Sequence, residues 1–222
     1  WSSFMAKEVS EEPEAVANTI RGRLTGDAVV IPELDGLADL FTGIDRIIIT
    51  ACGTASYAGS VGKYVLERWA GIPTDVELAH EFRYRYPVIG ANTLVVSISQ
   101  SGETMDTLMA VKYAREKGAK TLSVCNTQGA TIPRESDAVV YTHAGPEVAV
   151  ASTKAFVAQI TALYLFALHL GRVRGLLSKF DAAQHVRELE AIPAKIQRVL
   201  DEEQEQLAQL AHWMADTRSV LF

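Results

Sequence analysis

The segment Ser99-Gln100-Ser101-Gly102-Glu103-Thr104 places three hydroxyls, an amide and a glycine between two apolar patterns. Upstream, Thr93-Leu94-Val95-Val96-Ser97-Ile98 is short and β-branched, as a strand buried on both faces requires. Downstream, Leu108, Val111, Lys112 and Arg115 recur at helical spacing until Gly118 supplies a stop. A helix starting here points unpaired backbone N–H groups outward, and those donors act with the helix dipole to favour an anion. The loop contains no Lys or Arg. A phosphate bound there would be held by neutral donors, which suits a small phosphorylated metabolite. Ser and Thr before a helix also serve as N-caps, worth about 1 kcal/mol and no more. Recurrence of the arrangement is what separates the two readings.

It recurs twice. Ala51-Cys52-Gly53-Thr54-Ala55-Ser56 follows the apolar Ile47-Ile48-Ile49-Thr50, and Glu147-Val148-Ala149-Val150-Ala151-Ser152-Thr153-Lys154 enters a long apolar helix pattern. Gly53 and Gly102 permit the positive φ and close backbone approach that a phosphate nest needs. In open parallel sheets such loops lie outside the carboxyl ends of the strands, where ligands collect. Other chemistries find no support. There is no P-loop sequence and no nucleophile elbow, and Gly53-Thr54-Ala55-Ser56 lacks the later glycines of a dinucleotide fingerprint. None of His80, His143, His169, His185 and His212 lies near Ser99 or Ser101 in sequence, so an activated serine is not expected. Lys154 reads as structural or electrostatic, Glu103 as a first-turn helix residue, and Ser152 as a possible N-cap as well as a site residue. Arg83 and Arg85, interleaved with Tyr84 and Tyr86, read as an interface or surface ion pairs in so acidic a chain.

The elements that must position these loops follow from the apolar pattern. Predicted strands are Ile44–Thr50, Asp75–Leu78, Thr93–Ile98, Lys120–Cys125 and Asp137–Tyr141, separated by helical or turn-rich segments. This alternation specifies a parallel sheet with helices on both faces. Residues 1–43 are expected to be a helical lead-in, with Pro13 dividing a helix at Phe4–Ser10 from one at Glu14–Leu24. Residues 44–171 form the α/β domain, and 172–222 a helical connector. In the connector Leu189, Ile192, Ile196 and Leu200 share a face, Asp201-Glu202-Glu203 is a solvated turn, and Leu207, Leu210 and Trp213 continue the apolar stripe. Arg218–Phe222 reads as a first strand without a sequel, and Trp1 replaces an initiating Met, so the chain is expected to be a piece of a longer protein.

Composition sets the class. The 222 residues are 48% hydrophobic and 22% charged, with a net charge of −6, so a nucleic-acid surface is disfavoured. Ala155–Leu170 is too short and too polar at Gln159, Thr161 and His169 for a membrane span, and is expected to be a core helix. The opening Trp1-Ser2-Ser3-Phe4 does not read as a secretory signal, so none is expected, and Cys52 and Cys125 read as buried reduced thiols of a cytoplasmic protein. No Cys/His cluster has metal-ligand spacing.

Taken together, Ala51-Cys52-Gly53-Thr54, the Ser99–Thr104 loop and Val150-Ala151-Ser152-Thr153-Lys154-Ala155-Phe156 resemble sugar isomerase (SIS) domains. With Phe4-Met5-Ala6-Lys7-Glu8, Glu81-Phe82-Arg83-Tyr84-Arg85 and Arg134-Glu135-Ser136-Asp137, the chain is similar to the glutamine–fructose-6-phosphate aminotransferase family. The resemblance implies a flavodoxin-like three-layer α/β sandwich with a parallel sheet, flanked by N- and C-terminal helices. It implies the first of two tandem SIS domains, the second SIS domain and a glutaminase domain lying elsewhere in the same protein, and a homodimer. It implies fructose 6-phosphate or glucosamine 6-phosphate as ligand and no cofactor, metal, nucleic acid or membrane. By the same resemblance Ser99, Gln100, Ser101 and Thr104 bind the substrate phosphate, and Gly53, Thr54, Ala55, Val150 and Ser152 bind the sugar. Ala55 stands where many members have serine, with Ser56 one place later. No catalytic residue is expected in this chain, because the family's lysine, glutamate base and histidine come from the second SIS domain. A non-catalytic sugar-phosphate sensor and a fructosamine-phosphate deglycase are the alternative readings, since the SIS fold serves both.

Overall fold

A computed structural model describes residue 1, residues 3–26 and residues 28–219. Two short helices open the chain, α1 (Phe4–Ser10) and α2 (Glu12–Ile20). Pro13 lies in the first turn of α2, where its missing N–H is harmless, and it separates the helices as anticipated. The lead-in is otherwise less helical than its sequence suggests. The second helix stops at Ile20, and β1 (Leu24–Thr25) pairs antiparallel with β2 (Ala28–Val29). Tertiary burial overrides helix propensity here, because the hairpin lays Leu24 and Val29 on the core. A turn of 3-10 helix at Pro32–Leu34 and α3 (Ala38–Phe41) lead into the sheet.

The alternating pattern then appears in full. The elements are β3 (Arg46–Ala51), α4 (Thr54–Val65), β4 (Thr74–Leu78), α5 (Ala79–Phe82), β5 (Thr93–Ser99) and α6 (Met105–Glu116). They continue as β6 (Lys120–Cys125), α7 (Thr131–Glu135), β7 (Ala138–Tyr141), α8 (Lys154–Val173), α9 (Lys179–Glu202) and α10 (Gln204–Met214). The sheet is parallel in the order β4-β3-β5-β6-β7. This is the flavodoxin-like order, and its topological switch lies between β3 and β5.

Both faces of the sheet are covered. Ile47, Ile49, Leu94, Val96, Leu122 and Val124 share one core with Leu163, Phe166 and Leu170 of α8. On the other face Ile48 and Val95 pack with Phe82, Ala110 and Ala114. By composition α8 is long and apolar enough to cross a membrane, yet Leu163, Leu165, Phe166 and Leu168 are wholly buried in the protein. The C-terminal helices behave differently. The chain breaks at Glu203 alone, since Asp201 and Glu202 of the expected turn complete α9; α10 buries nothing, and Leu207, Leu210 and Trp213 stand exposed. Of the strand expected at Arg218–Phe222, residues 220–222 lie outside the described residues. On the surface, Arg85 forms an ion pair with Glu77, and the Arg83 guanidinium lies 4.6 Å from the Tyr84 ring centroid.

One register row departs from the apolar pattern. Thr50, Ser97 and Ser123 sit side by side on β3, β5 and β6, are buried, and have hydroxyls without a hydrogen-bond partner among the described residues. A buried unsatisfied hydroxyl costs about 1–3 kcal/mol. Ser97→Ala is therefore expected to leave stability unchanged or raise it by up to about 1 kcal/mol. Urea denaturation checks this, and a clear loss would mean the hydroxyl is satisfied in solution.

Candidate functional site

The β3–β5 register sets Ala51 opposite Ile98, so the segments leaving these two strands start side by side. Residues 52–53 turn into α4, and residues 100–104 turn into α6. The segment before α8 crosses the same end of the sheet. Gly53, Thr54, Ala55, Ser99, Gln100, Ser101, Thr104, Val150 and Ser152 all line one cavity of about 360 Å³. Structure adds Cys52, Ile98, Glu147, Ala149 and Gln159, which sequence reasoning did not select, and no Lys, Arg or His is among the lining residues.

The 99–104 loop is held by its own hydroxyls. Ser99 is buried; its Oγ accepts from the Gly102 N–H at 3.0 Å and lies 3.2 Å from Thr104 Oγ1. Ser101 Oγ accepts from the Glu103 N–H at 3.2 Å. Gly102 has φ +68°, and a Cβ there would meet Ala130 Cβ at 2.6 Å and Cys125 Sγ at 2.7 Å. Only glycine permits both the conformation and the contact. Gly53 meets the first requirement at the other loop, with φ +55°. Thr104 is the N-cap of α6 and Gly53 that of α4, and neither supplies a side-chain cap. First-turn N–H groups of two helices are thereby left for a ligand anion. Ser56 does not replace the hydroxyl absent at Ala55, because its Oγ donates to the Gly53 carbonyl at 2.7 Å.

The third helix start is already neutralised. The Glu147 carboxylate accepts from Thr153 N–H at 2.9 Å, Ala155 N–H at 3.1 Å, Ser152 Oγ at 3.1 Å and Thr153 Oγ1 at 3.3 Å. The N-cap of α8 is thus Thr153, capped remotely by Glu147, and Ser152 is not the cap its position suggested. Burial, and then the charge of Glu147, raise the Glu12 carboxyl above its ordinary value. An anion entering the cavity meets uncapped donors at α4 and α6 and a carboxylate at α8, which orients it toward the first two.

Several single-residue expectations are resolved. Lys154 is buried with its Nζ 2.7 Å from Glu11, so its role is electrostatic. Glu103 precedes α6 rather than joining its first turn; it accepts from the Thr131 N–H at 2.7 Å, and hydrogen bonding to Thr131 holds its carboxyl below the usual value. Cys125 is buried, and desolvation pushes its thiol up to about 11. Cys52 is only half-buried, contrary to expectation, because the chain opens into the cavity where it leaves β3.

Residues 40–169 match the SIS domain family. The whole chain is 71% identical to a glutamine–fructose-6-phosphate aminotransferase (isomerizing) of Leifsonia xyli subsp. xyli and 54% identical to that of Corynebacterium glutamicum. It spans 36% of the length of each. A solved C-terminal domain of glucosamine-fructose-6-phosphate aminotransferase from Francisella tularensis superposes with a TM-score of 0.92 at 36% identity, covering 97% of this chain and 61% of that one.

The two thiols give a direct test of the cavity. Iodoacetamide at neutral pH is expected to modify Cys52 first and leave Cys125 unmodified while the protein stays folded. Equal labelling, followed by mass spectrometry of the peptides, would contradict an open cavity beside β3.

Proposed function

The chain belongs to the SIS domain family, and from that premise we propose that it binds the phosphorylated ketose used by a glutamine–fructose-6-phosphate aminotransferase. The observation that carries this reading is the single cavity lined by three hydroxyl-bearing loops, with no cation, at the switch between β3 and β5. We assign the phosphate of fructose 6-phosphate or glucosamine 6-phosphate to Ser99, Ser101 and Thr104, with Gln100 contributing a backbone donor. Two uncapped helix starts support that assignment, since they favour a dianion without a lysine. The sugar would then extend along Gly53, Thr54 and Ala55 toward Val150 and Ser152, which line the opposite part of the same cavity.

The proposed reaction of the longer protein is amination of the ketose by glutamine-derived ammonia, followed by isomerisation to glucosamine 6-phosphate. Ring opening, imine formation and proton transfer between adjacent carbons need acid and base groups. Among the cavity-lining residues the ionisable side chains are Cys52 and Glu147, and Glu147 is already committed to four donors. This chain therefore contributes position and charge stabilisation, and the acid–base groups fall to the rest of the longer protein. The domain division at residues 44–171 and 172–222, the homodimer and the cytoplasmic location are proposed on the same footing. Two unpaired thiols fit a reducing compartment.

Calorimetric titration of this chain with fructose 6-phosphate tests the proposal. Expected is a Kd on the order of a millimolar, as half a pocket would give, with no heat from unphosphorylated fructose. Ser101→Ala should weaken binding about fivefold to tenfold, for loss of one hydrogen bond near 1 kcal/mol. Binding that ignores the phosphate, or is unchanged in the variant, would contradict the assignment.

A further inference from the structure

Glu147 pins the end of the loop before α8 and Asn126 its beginning, which leaves its middle at Val148 and Ala149. Residues 142–153 contain neither helix nor strand, so their backbone must find partners elsewhere. For Val148 and Ala149 the partner comes from the first helix, about 140 residues away in sequence. The Glu8 carboxylate is 2% exposed; Oε1 accepts from Val148 N–H at 2.6 Å, and the two oxygens lie 3.3 and 3.2 Å from Ala149 N. One turn further, Glu11 takes Lys154 Nζ at 2.7 Å and Lys7 Nζ at 2.9 Å. Those lysines hold the Glu11 carboxyl below its usual value.

We propose that Glu8 and Glu11 are positioning residues for the sugar-binding part of the cavity: α1 is a strap that sets the path of residues 147–154 from outside, while Glu147 closes it from within. This rests on the sugar-phosphate reading above and adds what controls the geometry of its sugar half. Two observations favour positioning over general adhesion. First, Glu8 is the only buried residue of α1, and Phe4 and Met5 are exposed, so the helix is docked through carboxylates rather than an apolar face. Second, the residues that Glu8 grips are neighbours of the cavity wall: Ala149 lines the cavity, as does Val150 beside it. A helix of this length is unstable alone in water, so α1 and the loop order each other. The loop at 99–104 is hydrogen-bonded internally and to residues 126–132, and it makes no hydrogen bond to α1 among the described residues. Sugar and phosphate recognition should therefore separate when the strap is cut.

Titration of wild type, Glu8→Ala and Glu8→Gln with fructose 6-phosphate and, separately, with inorganic phosphate tests this. Expected is a tenfold or greater loss of sugar-phosphate affinity in Glu8→Ala, with phosphate affinity unchanged within twofold. Glu8→Gln retains an acceptor oxygen and should recover part of the loss. Equal loss for both ligands, or no loss, overturns the proposal. Should Glu8→Ala not fold, Glu11→Ala carries the same comparison with the same criteria. Amide hydrogen exchange separates this from failure of the functional reading, which would show as no binding by wild type. In that event, faster exchange of Val148 and Ala149 in the variant, with β5 amides unchanged, sustains the strap. Unchanged exchange there rejects it.

Discussion

Parallel pairing of β3 with β5 is the contact on which the site depends. With Ala51 set opposite Ile98, both strands end at the same level, and the chain leaves each toward a different helix. The strand order reverses at this point, so no crossover helix covers the gap. Two helix starts then open into one cavity, and the third loop closes it from the side. A slip of one residue in this pairing would exchange the faces of β5 and carry Ser99 away from Gly53 and Thr54 across the cavity.

An anion site without lysine or arginine needs donors that are free and acceptors that are occupied. Both conditions hold here. Helices α4 and α6 have no side-chain cap, whereas Glu147 spends its charge on the start of α8. The cationic Lys154, next to the cavity loop in sequence, is instead buried against Glu11. Neutral donors bind a dianion less tightly than an ion pair does, which fits the proposed role of a site that releases a phosphorylated product.

The sheet, the loops and the lining residues were legible because they depend on local pattern. Four of the five apolar runs, all but Asp75–Leu78, are followed within three residues by Gly, Ser or Thr, which marks the strand end and the turn. Even the bounds of Lys120–Cys125 agree with the sequence reading. What was missed depends on long-range contact. Glu8 and Glu11 look like ordinary surface glutamates until the fold brings the first helix to the α8 loop, whereas Glu147 escapes notice because an irregular loop carries no periodic signal. Glu103 looked like a helix residue because its acceptor role is set by Thr131, far along the chain. The hairpin at Leu24–Val29 was hidden for the same reason, since its two apolar residues find burial only against the finished core.

The central claim is that a sugar phosphate binds with its phosphate at the Ser99–Thr104 loop. Backbone amide shifts of the 15N-labelled chain, followed as fructose 6-phosphate is added, locate it directly. The expected result is that the largest saturable changes fall on Ser101 to Thr104 and on Thr54, with the 147–152 amides responding to fructose 6-phosphate but not to inorganic phosphate. Changes confined to residues outside the β3–β5 end of the sheet would contradict the site.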